Sequence, residues 1–168
     1  MRVFIGIKAS DETCEQILKW QVKHKDLPVR FIQSENLHLT LAPPWYENNI
    51  KKLLKNLNKF SFPKTFEITL NRISKGPPRN PRLIWIKGPK HQDLAKMQGE
   101  IAKFLKISKQ KYSAPHVTIA RFKMKEAILI PEINEEIELK FDVSEITLFE
   151  SKLSPKGADY FELSSLKI

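Results

Sequence analysis

His38-Leu39-Thr40-Leu41-Ala42 returns 78 residues later as His116-Val117-Thr118-Ile119-Ala120. Both stretches read His, aliphatic, Thr, aliphatic, Ala. Alternating polar and aliphatic residues of this kind predict a strand in each case. Strand side chains point alternately to opposite faces. Each stretch therefore sets an imidazole beside a hydroxyl on one face and aliphatics on the other. The chain has four His and six Thr. A given His has Thr two places on with a probability of about 4 %, and two such hits among four arise by chance in roughly 1 % of similar chains. A single His-x-Thr is a weak signal; two in matched surroundings are a specific one.

The flanking chain repeats as well. Arg2-Val3-Phe4-Ile5-Gly6-Ile7-Lys8 alternates as a strand does and is matched by Arg82-Leu83-Ile84-Trp85-Ile86-Lys87. Ser10 offers an N-cap, with Asp11 and Glu12 in the first turn, where negative charge suits the helix dipole. Cys14, Ile17, Leu18 and Val22 then fall at helical spacing, which predicts an amphipathic helix over 11–25. Its counterpart spans about 91–106, with Leu94, Met97, Ile101, Phe104 and Leu105 on one side. Residues 29–33 read as extended and Ser34-Glu35-Asn36 as a turn. Pro43-Pro44 is expected to end the first motif's strand, since proline donates nothing to a ladder. Ile50, Leu53, Leu54, Leu57 and Phe60 predict a helix over 47–60; the second half has only a shorter, proline-broken segment at 126–138. A strand over 65–73, containing Phe66-Glu67-Ile68-Thr69-Leu70, is matched by Phe141-Asp142-Val143 running into Glu145-Ile146-Thr147-Leu148. The tail over 151–166 reads as a loop around Pro155-Lys156-Gly157 and a closing strand.

Gly76-Pro77-Pro78-Arg79-Asn80-Pro81 is the expected linker between the repeats. The chain thus reads as one domain, 1–168, built from pseudo-symmetric halves at about 1–76 and 82–168. Each half runs β-α-β-(α)-β. A pseudo-two-fold axis between them would turn the two motifs toward each other across a central groove.

Composition narrows the function classes. The net charge is +10, from 29 basic and 19 acidic residues, and this favours a polyanionic partner such as nucleic acid. At 41 % hydrophobic the chain can bury a core. No apolar run approaches the 18 or so residues of a membrane span. The apolar start is too short for a signal peptide, and Asp11 and Glu12 follow it closely. Cys14 is the only cysteine, which leaves no intrachain disulfide or multi-cysteine metal site. A reducing cytoplasm is the expected compartment.

Two His and two Thr around one cleft suit phosphoryl transfer without a metal. One neutral imidazole takes a proton from the nucleophile and the other, protonated, gives one to the leaving oxygen. The hydroxyls donate to non-bridging phosphate oxygens. A metal centre is a weaker reading, because the motif is neither His-x-His nor His-Glu-x-x-His and contains no carboxylate. A serine hydrolase would show Gly-x-Ser-x-Gly, which is missing. His24, within Lys23-His24-Lys25, reads as a solvated helix end, and His91 as a residue near a helix start. Trp20 and Trp85 read as core. Trp45 and Tyr46 directly follow the first motif and are open to stacking on a base.

These residues carry a family resemblance. Glu35-Asn36-Leu37-His38-Leu39-Thr40-Leu41, Pro115-His116-Val117-Thr118-Ile119-Ala120-Arg121 and the tail Glu150-Ser151-x-Leu153-x-Pro155-x-Gly157-x-x-Tyr160 resemble the two-histidine phosphoesterase superfamily. The nearest branch is the RNA 2′,3′-cyclic phosphodiesterases, historically called 2′-5′ RNA ligases. The resemblance implies a bilobal, internally duplicated α+β fold, with two antiparallel sheets around a central groove and helices outside. It implies hydrolysis of RNA 2′,3′-cyclic phosphate ends to 2′-phosphate, with no metal or other cofactor, by His38, Thr40, His116 and Thr118. It assigns His116 as the base and His38 as the acid. Arg121 matches a basic residue that often follows the second motif, although its odd spacing from His116 would turn it away in a regular strand. Where the family usually has a Phe-Leu-Gly-like turn, this chain has Ala42-Pro43-Pro44-Trp45-Tyr46. The expected partner is RNA, with no membrane association, and the expected state is a cytoplasmic monomer. The alternatives are a 2′-5′ phosphodiesterase or ligase of the same superfamily, or a non-catalytic basic RNA-binding module.

Overall fold

The computed structural model describes residues 1–111, 114–155 and 157–168. Its elements run β1 (Arg2–Lys8), α1 (Asp11–Lys23), β2 (Arg30–Phe31), β3 (His38–Tyr46), α2 (Ile50–Leu57), β4 (Phe66–Gly76), β5 (Leu83–Lys87), α3 (Gln92–Leu105), β6 (His116–Arg121), β7 (Asn134–Val143), β8 (Glu145–Ser154) and β9 (Gly157–Lys167). Short 3₁₀ turns at Ser34–Asn36 and Met124–Leu129 complete them. All strand pairs are antiparallel, in the order β7-β4-β5-β6-β3-β1-β8-β9 with β2 beside β6. The two expected sheets are the halves of this array. They meet where β3 and β6 pair at Leu39 and Val117.

The registers around the two motifs are copies. Lys8, Ile7 and Gly6 face His38, Leu39 and Thr40; Lys87, Ile86 and Trp85 face His116, Val117 and Thr118. Each ladder then slips by one residue, to Ile5 opposite Ala42 and Ile84 opposite Ala120. Beyond these pairs, β8 flanks β1 and β4 flanks β5. Both outer strands contain Glu-Ile-Thr-Leu, at 67–70 and 145–148. The repeated segments have therefore exchanged this strand between the halves of the sheet.

Three expectations are corrected. β3 does not stop at Pro43-Pro44 but runs to Tyr46. A register slip between the pairs Ile5–Ala42 and Val3–Trp45 places both prolines in a bulge, and the only β6 partner of β3 lies earlier, at Leu39. No donor is needed there, so proline is tolerated. Residues 76–81 are the tip of the β4–β5 hairpin rather than a spacer: pairing continues to Gly76 opposite Leu83, and Arg82 N donates to Gly76 O at 2.8 Å. The single late strand is two, broken at Ser144, with β7 on one edge of the array and β8 in the other half. Lys156, in the expected tail loop, lies outside the described residues.

The helices cover the apolar face of the sheet, where Leu39, Leu41, Val117 and Ile119 are fully buried. Ser10 caps α1 by accepting from Thr13 N at 3.2 Å. That helix then crosses to the far half. Gln21 donates to Ile119 O on β6, and Trp20 Nε1 donates to Glu135 on β7 at 2.9 Å. α3 makes the reciprocal crossing, and Gln98 donates to Thr40 O on β3 at 3.1 Å. Two strap helices thus reinforce halves joined by one strand pair. Among the described residues no helix is long and apolar enough to cross a membrane.

Candidate active site

The uncovered face carries the polar half of each motif. His38, Thr40, His116 and Thr118 are half-buried, and the residues between them are buried. With Leu39 opposite Val117, the register sets His38 across from Thr118 and Thr40 across from His116. Cross-strand neighbours stand about 5 Å apart at Cβ and diagonal ones about 7–8 Å. The four side chains therefore form a two-by-two array with the imidazoles on one diagonal, close enough for the charge of His116 to be felt at His38.

Both rings are held in the same way. His38 Nδ1 meets Asn36 O at 2.7 Å and His116 Nδ1 meets Ala114 O at 2.9 Å. A carbonyl only accepts, so Nδ1 carries the hydrogen. That leaves Nε2 of each ring to take or give a proton. Neither the Thr40 nor the Thr118 hydroxyl bonds another described residue, so both are available to a ligand.

The surroundings differ. His38 sits among aromatics: its centroid is 4.8 Å from Phe4, 6.0 Å from Phe149 and 5.2 Å from Tyr160, the last edge-on. Tyr160 N donates to Asn36 Oδ1 at 3.3 Å, tying β9 to the turn that holds His38. Gly6 makes room for the ring, since a Cβ there would lie 3.2 Å from His38 Cδ2. The equivalent residue beside His116 is Trp85, 4.9 Å from that ring. Burial pushes the His38 imidazole down to about 4; the Asn36 carbonyl opposes this, and the charges of Arg121 and His116 add to it. His116 is also lowered by burial, against the pull of the Ala114 carbonyl.

Arg121 joins the array, contrary to the odd-spacing expectation. The slip in β6 leaves Ile119 and Ala120 both buried and returns Arg121 to the face of His116 and Thr118. Its charge reaches His38, and no described residue pairs with its guanidinium. A cavity of about 140 Å³ lies between Arg121, Asn36 and Tyr160. Trp45 and Tyr46 are not brought to the histidines. They pair with Val3 and Arg2 at the opposite end of β3. Trp45 lines a separate cavity against Leu53 and Phe104, on the helix side, and Tyr46 is 77 % exposed. His24, read as solvated, instead stacks on Trp20 with its Nε2 3.1 Å from Glu135. His91 accepts from Leu94 N as the α3 cap, and Trp20 and Trp85 are buried as expected. The sequence reading missed Phe4 and Lys8 and quoted Tyr160 in the tail motif without a role; the two ring carbonyls carry no side-chain signal at all. Lys8, across from His38, is paired with Glu162 at 2.5 Å. Among the described residues no cluster of three or more His, Cys, Asp or Glu is formed.

The family model of the 2′-5′ RNA ligase superfamily matches residues 9–154. The chain is similar to an RNA 2′,3′-cyclic phosphodiesterase of Methanocaldococcus jannaschii, 30 % identical over 172 residues, covering 95 % of this chain and 96 % of that one. A protein of the same name from Methanothermobacter thermautotrophicus is 24 % identical over 100 % of this chain and 99 % of its own. Among solved structures, TT0787 of Thermus thermophilus shares the fold, with a TM-score of 0.79 at 20 % identity over 99 % of this chain and 97 % of that chain. E. coli LigT complexed with NADP+ has a TM-score of 0.76 at 26 % identity, with the same coverage. LigT has also been solved with 3′-AMP, at a TM-score of 0.75 and 25 % identity over 99 % of this chain and 97 % of that chain.

Proposed function

This chain belongs to the 2′-5′ RNA ligase superfamily, and we propose that it is an RNA 2′,3′-cyclic phosphodiesterase whose reaction is carried by the His38–Thr40–His116–Thr118 array. The single observation that carries the reading is the pair of imidazoles. Each is held at Nδ1 by a carbonyl two residues earlier, and each stands on one face of the sheet beside a hydroxyl that bonds no other described residue. RNA binding alone needs charge and stacking and has no use for two matched rings.

The reaction is an in-line displacement. Water attacks phosphorus, an O–P bond forms, and the bond from phosphorus to the ribose 3′-oxygen breaks. The base imidazole takes the proton from water and the acid imidazole gives its proton to the 3′-oxygen, leaving a 2′-phosphate and a 3′-hydroxyl. Thr40, Thr118 and Arg121 donate to the phosphoryl oxygens as charge gathers on them. No metal enters this scheme.

The electrostatics favour the reverse of the roles assigned by resemblance. His38 has its pKa pushed down to about 4 and so begins neutral, as a base must. Burial lowers His116 as well, but the Ala114 carbonyl opposes it, and this ring is assigned the acid role. The enzyme acts as a cytoplasmic monomer, with 1–168 as one catalytic domain. The test is incubation with an oligonucleotide ending in a 2′,3′-cyclic phosphate, in EDTA, followed by analysis of the end group. A 2′-phosphate product is expected. An unchanged cyclic end, or turnover that EDTA abolishes and Zn²⁺ or Mn²⁺ restores, would overturn the reading.

A further inference from the structure

Beyond Arg121 the cleft continues into a larger cavity that the catalytic array does not use. Arg121 on β6 faces Arg30 on β2 directly, Cα partner to Cα partner. Opposed positions of an antiparallel pair put the two side chains on one face, about 5 Å apart at Cβ. Both arginines line the small cavity beside Tyr160 and a neighbouring one of about 660 Å³. That second cavity is walled by Pro28, Val29 and the buried Phe122, with Lys123 on its rim. Its lining joins the apolar Pro28, Val29, Phe122 and Pro155 to the cationic Arg30, Arg121 and Lys123.

Gly157 fixes the position of Arg30. Its φ is +130°, which side-chain-bearing residues rarely adopt. A Cβ there would fall 1.4 Å from Arg30 Nη1. The β8–β9 hairpin therefore gives up a side chain at the point where the Arg30 guanidinium lies against it.

We propose that this second cavity binds the nucleotide upstream of the cyclic end, with Arg30 gripping the phosphodiester that joins the two nucleotides, Arg121 beside it held to the cyclic phosphate, and the apolar walls receiving the upstream base. The proposal rests on the cyclic phosphodiesterase reading and specifies its substrate as an RNA end at least two nucleotides long. A guanidinium suits phosphate oxygens because its donors are fixed and always charged. The rim cation Lys123 adds charge on the path of the strand, while Glu126, which also lines the cavity, is turned to Lys123 N at 2.9 Å.

The test compares a nucleoside 2′,3′-cyclic monophosphate with a dinucleotide ending in the same cyclic phosphate. The same comparison is made for binding of the corresponding 2′-phosphate products by calorimetry. In the unsubstituted enzyme the dinucleotide should be favoured about tenfold or more in kcat/KM and in affinity, the scale of one charge-assisted contact or one seated base. Arg30→Ala and Lys123→Ala should remove most of that preference and leave hydrolysis of the mononucleotide within about twofold. A dinucleotide with an abasic upstream residue keeps the phosphate and should lose only the part owed to the cavity walls. Equal affinity for the one- and two-nucleotide products, or a preference that survives in the Arg30→Ala, Lys123→Ala double variant, would overturn the proposal. The binding arm decides this even if neither substrate is hydrolysed, an outcome that would instead sink the catalytic reading.

Discussion

At the scale of single residues, the two histidines are set apart by what surrounds rings held in the same way. Phe4, Phe149 and Tyr160 crowd His38, and Arg121 adds a cation. The base role requires the neutral ring, so activity should be lost as pH falls through about 4. The acid role requires the protonated ring at His116, whose pKa is lowered from 6.5, so activity should also be lost as pH rises through that lowered value. The kcat/KM profile of the free enzyme should therefore be a bell with its maximum on the acid side of 6.5. The two rings are told apart by the leaving group. An aryl phosphodiester, which needs no proton at its leaving oxygen, should be cleaved by His116→Ala far better than by His38→Ala. The opposite order would restore the assignment made by resemblance. Little of this contrast was legible in the sequence: the duplicated His-x-Thr gave the pair, but the aromatics beside His38 come from β1, β8 and β9.

At the scale of elements, the one-residue slip in β6 decides whether Arg121 is useful. Parity counted along the chain turned it away; the bulge, invisible in the residue pattern, turns it back. Arg121→Ala should lower kcat/KM roughly 10- to 100-fold, the size of a lost charge-assisted hydrogen bond. It should also move the low-pH limb upward, because the cation that holds His38 down is gone. A profile unchanged in position would mean that the guanidinium does not reach the site. The strap helix α1 offers a second test. Glu135 accepts from the buried Trp20 Nε1 and faces His24, so Glu135→Ala leaves that indole donor unsatisfied. A loss of about 1–3 kcal/mol is expected, measurable as a lowered Tm, with kcat/KM on the cyclic phosphate little changed. The helix itself was legible from Cys14, Ile17 and Leu18; its crossing to the other half was not, because periodicity marks an apolar face without saying what that face meets. The same holds for β7, where Glu135, Glu136 and Glu138 mask a strand whose buried residues, Leu139, Phe141 and Val143, come only toward its end.

At the scale of the whole molecule, the repeat is both the most legible feature and the one most altered by folding. The sequence places two copies of β-α-β end to end; the fold interleaves them, exchanging one strand and both helices, so the motifs meet at the centre of the array, where its two halves join. The net charge of +10 should make RNA binding salt-dependent. Affinity for an oligonucleotide should fall by about tenfold or more between roughly 50 and 200 mM salt, through counterion release. A flat response would show that the charge is not the docking surface. The account's central claim is that His38 and His116 work as one acid–base pair, and single-turnover hydrolysis of a 2′,3′-cyclic-phosphate oligonucleotide in EDTA by His38→Ala, His116→Ala and the double variant tests it most directly, with folding checked by circular dichroism. Each single variant should lose about 10²–10⁴ in rate, and the double variant should lose little more than the worse of the two, because the rings act as a unit. A folded single variant that keeps near-full rate, or a double variant whose loss equals the product of the singles, would contradict it.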